Sequence, residues 1–187
     1  MTKKELIWRE ILFQAIEKKK FEFTQKDLAE KFSFSLSTVF NALKVPRDSG
    51  AIKVTGRNFS VIDAEKFLYI WATQRNLEKE IIYQTYIPVP VQKIEGQMPA
   101  EIIFGGASAY VLRHKDAPAD YAKVYVYADE KNLKEIRKRF PETKGEANLF
   151  ILKSDPLLSR FGNITPDVQI FVDLWNMKDW YAKDFLN

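Results

Sequence analysis

Ser37 and Thr38 stand four and three residues before Asn41, and Lys44 three after it, the spacing that brings side chains to one side of a helix, while Val39 and Leu43 fall on the opposite side. An asparagine amide both donates and accepts, so Asn41 has the groups for a two-bond pair with adenine. Ser37 and Thr38 can reach base edges, and a lysine ammonium suits a phosphate. Ser35 and Arg47 flank this segment, Lys26 precedes it, and Lys53, Arg57 and Asn58 follow around a glycine at position 56. These ten residues form a candidate surface for a polyanion that carries hydrogen-bonding edges, namely double-stranded DNA. Leu36 and Phe40 lie in the same stretch and keep open a second use of this face, contact with another protein.

Other chemistry has thinner support. The chain has no cysteine and one histidine, His114, which removes disulfides, thiolate nucleophiles and cysteine-based zinc sites, and argues against a serine–histidine relay. Gly105-Gly106 opens an expected helix as a phosphate-binding turn would. Two-metal phosphoryl transfer would also need paired carboxylates on the next strand. That strand, Ala122–Ala128, reads Ala-Lys-Val-Tyr-Val-Tyr-Ala, with Val124 and Val126 on one face and Lys123, Tyr125 and Tyr127 on the other. Asp120, Asp129, Asp167 and Asp173 are scattered and read as caps, turn residues or surface charges. The last two would be roughly 20 Å apart along an extended strand. No catalytic residue, metal ligand or cofactor is expected.

The elements that must position these residues follow from periodicity and caps. Leu6, Trp8, Ile11, Leu12, Ala15 and Ile16 give an amphipathic helix over Lys3–Lys19. Thr24 caps a second helix running to Phe32, with Asp27 placed to reach back; Ser33-Phe34-Ser35 makes a turn; Ser35 caps a third helix that Pro46 stops at Lys44. Ala51–Val54 and Phe59–Ile62 flank Thr55-Gly56-Arg57-Asn58 as a hairpin. Asp63 caps a long helix to about Leu77 that reads as a connector. Beyond it extended and helical patterns alternate: strand Thr85–Val91 with its prolines at a sheet edge, strand Glu101–Phe104, helix Gly105–His114, strand Ala122–Ala128, helix Glu130–Arg139, strand Ala147–Leu152, strand Asp167–Leu174 and helix Met177–Phe185. The basic face Lys131, Lys134, Arg137, Lys138 and Arg139 reads either as solvated charge or as a second DNA contact.

Length and composition bound the whole. With 187 residues, 46% hydrophobic and 29% charged, the chain has the make-up of a folded globular protein with room for one large domain or two small ones. Uncharged runs reach only 12 residues, short of a membrane span, and no signal-peptide core forms, so a cytoplasmic location with no membrane partner is expected. Residues 1–62 hold 12 Lys/Arg against 7 Asp/Glu, a balance of +5, whereas residues 63–187 hold 17 against 18, a balance of −1. The positive excess belongs to the N-terminal part, where it suits a polyanionic partner.

The order helix, helix, turn, helix, hairpin is that of a winged helix-turn-helix, and Leu28-Ala29, Phe34-Ser35-Leu36-Ser37-Thr38-Val39, Leu43 and Gly50-Ala51-Ile52 resemble the winged-helix regulators of bacteria and archaea. With these, Gly105-Gly106-Ala107-Ser108-Ala109, Gly145-Glu146-Ala147-Asn148-Leu149 and Pro166–Leu174 resemble the AbiEi-type antitoxin regulators of type IV toxin–antitoxin systems. The resemblance implies an α+β protein: a DNA-binding domain at 1–62, a connecting helix at 63–80, and at 81–187 a mixed α/β domain similar to a degenerate nucleotidyltransferase, without catalysis. It further implies a transcriptional repressor and a cognate toxin protein as partner. The alternative from another class is a nucleotidyltransferase or nucleotide-binding enzyme with an appended winged helix.

Overall fold

Helices in the N-terminal part begin where a short oxygen-bearing side chain takes an amide hydrogen that a helix start leaves unpaired. Thr2, Thr24, Ser35 and Asp63 each accept from the amide three residues on. They open α1 (Lys3–Leu12), α2 (Gln25–Phe32), α3 (Leu36–Asp48) and α4 (Ala64–Gln74). The structure, a computed structural model, describes residues 1–186. The chain is α+β in class and divides into two units, Met1–Arg75 and Asn76–Asn187.

In the first unit α1 ends earlier than its periodicity predicts and continues as one π-helical turn over Phe13–Glu17. Three strands, β1 (Glu22–Thr24), β2 (Ile52–Thr55) and β3 (Asn58–Val61), form an antiparallel sheet in the order β1-β3-β2. Phe23, Phe59, Ile52 and Val61 are buried on one face, with Phe23 and Phe59 stacked at 5.3 Å. Ile7, Trp8, Ile11, Leu28, Phe32, Val39 and Leu43 complete the core.

The third helix runs past its expected end. Pro46 lies inside α3, which continues to Asp48. A proline there cannot donate to the carbonyl four residues back, that of Ala42. The buried indole of Trp8 on α1 donates to that carbonyl at 2.7 Å. The acceptor released by the proline is thus satisfied by another helix, and the backbone need not stop.

Residues 63–80 are not one connecting helix. α4 packs in the first unit, with Phe67 edge-on to Trp8 at 5.7 Å, Trp71 donating to the Glu5 carboxylate at 3.4 Å and Arg75 pairing with it at 3.1 Å. Leu77–Glu80 forms a separate 3₁₀ turn in the second unit. Burial of Phe67, Trp71 and Ala72 therefore moves the boundary from residue 62 to residue 75.

The second unit contains β4 (Ile81–Thr85), α5 (Val91–Gly96), β5 (Ile103–Gly105), α6 (Gly106–His114), β6 (Val124–Ala128), α7 (Glu130–Arg139), β7 (Leu149–Lys153) and α8 (Asp167–Asn176). Its sheet is mixed, in the order β4-β7-β6-β5, with β6 parallel to β7 and the other pairs antiparallel. Val124, Val126 and Ala128 enter one apolar cluster and Tyr125 and Tyr127 another, so β6 is buried on both faces. The strand expected over Thr85–Val91 is not formed: the edge strand β4 lies ahead of it and shares only Thr85, because Pro88 and Pro90 cannot donate to a ladder, and Pro90 instead precedes the first turn of α5.

Two C-terminal expectations are corrected. The segment expected as strand Asp167–Leu174 is helix α8, entered through Pro166. Six residues of helix rise only about 9 Å, replacing the extended separation of Asp167 and Asp173. The helix expected over Met177–Phe185 is a 3₁₀ segment, Trp180–Leu186.

Candidate nucleic-acid interface

α3 is held from below by Val39, Ala42, Leu43 and Pro46, which are buried. At about 100° per residue, Leu36, Ser37, Phe40, Asn41, Lys44, Val45 and Asp48 then fall on the opposite half of the helix. All seven are exposed. Leu36, Phe40 and Arg47 form one edge of this arc, Lys44 and Ser37 its centre, and Asn41 and Val45 the far edge. Asp48 places a negative charge at its C-terminal end.

Ser35 is occupied as the cap: its Oγ accepts from the Thr38 amide at 3.2 Å and lies 2.9 Å from both the Ser37 and Thr38 hydroxyls. Thr38 sits at the border of the buried half and is only half-exposed, so of the two neighbouring hydroxyls Ser37 is the one turned outward. The turn before α3 is closed by Ser33 in the left-handed conformation (φ 53°) and by Phe34 stacked on Phe32 at 5.4 Å.

A cleft of about 530 Å³ opens between the start of α2, the first two turns of α3 and the β2–β3 turn, lined by Gln25, Lys26, Leu36, Ser37, Phe40, Gly56 and Arg57. Gly56 has φ +62°, a conformation suited to the turn and costly for other residues. The Gln25 amide donates to the Arg57 carbonyl at 3.3 Å, tying the turn to α2. Sequence reasoning missed Gln25; its only signal was its position directly after the Thr24 cap.

The ten candidate residues are thus only partly brought together. Lys26, Ser37 and Arg57 line the cleft, and Asn41 and Lys44 continue along α3. Ser35 and Thr38 are engaged with each other. Arg47 lies over the Phe40 ring at 5.2 Å and pairs with Asp48 at 3.3 Å. Lys53 and Asn58 alternate with the buried Ile52 and Phe59 and stand on the solvent face of the sheet. Lys44, Lys53 and Arg57 form no ion pair among the described residues, and Lys26 has only an exposed partner, Glu30, at 3.6 Å. An exposed pair of that kind contributes little and is readily exchanged for another anion.

The second unit gathers its polar groups differently. Tyr127 donates to the buried Asp173 at 2.6 Å, and Asp167 pairs with His114 at 2.9 Å. Asp129 caps α7 through the Asn132 amide at 2.8 Å. The diglycine is packed tightly: a Cβ on Gly106, whose φ is +55°, would come within 2.2 Å of Met177 Cε, and one on Gly105 within 2.9 Å of the Tyr127 ring. Among the described residues no three His, Cys, Asp or Glu side chains converge as a metal site, and no helix is long and apolar enough to cross a membrane.

No protein-family model matches this chain, and neither a curated protein nor a solved structure is found to match it.

Proposed function

We propose that Met1–Arg75 is a winged helix-turn-helix that binds double-stranded DNA, with α3 as the helix that enters the major groove and the β2–β3 hairpin as the wing. The observation that carries this reading is the exposed arc of α3. Ser37, Asn41 and Lys44 stand there on a helix fixed by a buried opposite face, beside a hairpin turn that ends in the unpaired Arg57. Short polar groups next to free cations suit base edges flanked by phosphates. The order of helices and the three-stranded antiparallel sheet support the same reading. The chain then acts as a cytoplasmic transcriptional regulator, a repressor of the antitoxin kind suggested by the AbiEi resemblance, with a cognate toxin as its protein partner.

The second unit, in this proposal, is a nucleotidyltransferase-like domain without catalysis. The burial of both faces of β6 and the engagement of Asp173 with Tyr127 support the lack of catalysis, since a two-metal site needs accessible carboxylates; the likeness to a nucleotidyltransferase rests on the AbiEi resemblance alone. One observation favours a different use of the first unit: Leu36 and Phe40 are exposed side by side on α3, as in a surface for protein contact.

Exposing the full chain to a random-sequence duplex pool and sequencing what is retained separates the two. Enrichment of a short motif is expected. Failure to retain any duplex even at low salt would leave the protein-contact reading in its place.

A further inference from the structure

Leu36 is 57% exposed and Phe40 47% exposed. They are four residues apart on α3, so they form one apolar strip one helical turn long. This strip is a wall of the cleft, and Lys26 and Arg57 stand in the same lining. Arg57 forms no ion pair among the described residues and Lys26 only the exposed one with Glu30. A ligand that presents an apolar group to the strip and negative charge to both cations fits this lining. Duplex DNA does so where a thymine stands, because its C5-methyl projects into the major groove between phosphates.

We infer that Leu36 and Phe40 are specificity-determining residues that read thymine methyl groups, with Lys26 and Arg57 holding the adjoining phosphates. The inference rests on the duplex-binding reading above and goes beyond it by naming the bases selected at this edge of α3. Ser37, between the strip and Asn41, is then the border between methyl recognition and hydrogen-bonded recognition. Lys26 exchanges Glu30 for phosphate on binding. Arg47, stacked on Phe40, keeps the ring oriented across the helix edge.

The test uses the full chain and duplexes enriched from a random-sequence pool. Each thymine of the enriched motif is replaced in turn by deoxyuridine, which removes the methyl and leaves base pairing intact. At one or two positions this should weaken binding by about fourfold, the factor expected for exposing one methyl-sized apolar group. Leu36→Ala or Phe40→Ala should bind the thymine duplex more weakly and lose the distinction between thymine and deoxyuridine at the position each contacts. Equal binding of thymine and deoxyuridine duplexes by the unaltered protein would overturn the inference, and that measurement does not depend on any variant folding. An equal deoxyuridine effect in the unaltered protein and both variants would also overturn it, by placing the methyl contact elsewhere. If no duplex is enriched at all, the DNA reading itself fails, and the strip is a protein-contact surface.

Discussion

Asn41 and Glu5 show how differently two polar side chains of the first unit are used. Asn41 is exposed at the far edge of the α3 arc, with a planar amide able to pair twice with adenine. Replacing it by alanine should cost about 1–3 kcal/mol on an enriched duplex and almost nothing on a random one, read by fluorescence anisotropy. Equal losses on both would make it a positioning residue. Glu5 is buried against Arg75, Trp71 and Thr2. Burial alone would raise its pKa, but the Thr2 amide, the Arg75 charge and the remaining hydrogen bonds together hold it below the usual carboxylate range. A depressed folded-state pKa adds stability above the unfolded-state value, and that stability is lost as pH falls through the folded-state value. Glu5→Gln should therefore lower thermal stability at neutral pH, by about 1.5–3 kcal/mol, the range for hydrogen bonds to a charged group. The deficit should shrink in acid below the usual glutamate range. A deficit that does not change with pH would show that the pair does not govern this limb of the stability curve.

At the scale of elements, Trp8 and Pro46 are coupled through the Ala42 carbonyl. Trp8→Phe should cost about 1–3 kcal/mol for the buried acceptor it leaves, beyond any loss of packing. In a Pro46→Ala background the new amide can take that carbonyl, so the same substitution should cost less; a double-mutant cycle in urea measures the difference. Additive losses would refute the coupling. This contact also explains why the expected end of the third helix was wrong. Thr24, Ser35 and Asp63 announce their helices through local chemistry, and all three caps are present. The long-range indole contact leaves no local trace. The α8 segment failed for another reason: Val168-Gln169-Ile170-Phe171-Val172 is apolar but for Gln169 and rich in branched residues, and such a run reads equally as a buried strand or a buried helix. Its burial on most sides removes the polar face that would have announced a helix. The candidate surface was legible because hydroxyl, amide and cation recur at helical spacing. The cleft was not, since it depends on where the β2–β3 turn meets α2.

Across the whole molecule, charge and fold divide in the same place in sequence. Residues 1–75 hold 14 Lys/Arg against 9 Asp/Glu, a balance of +5, and residues 76–187 hold 15 against 16, a balance of −1. With Asp173 taken up by Tyr127, Asp167 by His114 and Asp129 by the start of α7, the second unit should contribute no two-metal phosphate transfer of its own. Incubated with magnesium or manganese, labelled nucleoside triphosphates and RNA or protein acceptors, the chain is expected to leave the acceptors unlabelled. Label transfer abolished by Asp129→Ala, Asp167→Ala or Asp173→Ala would promote the enzyme alternative. The central claim, that the first unit binds duplex DNA through phosphate-contacting cations beside α3, is tested most directly by titrating the full chain with an enriched duplex over a series of salt concentrations. Each phosphate held should add about −0.9 to the slope of log affinity against log salt, and Arg57→Ala should flatten that slope by about 0.9. An affinity independent of salt, or no duplex binding at the lowest salt, would contradict the account.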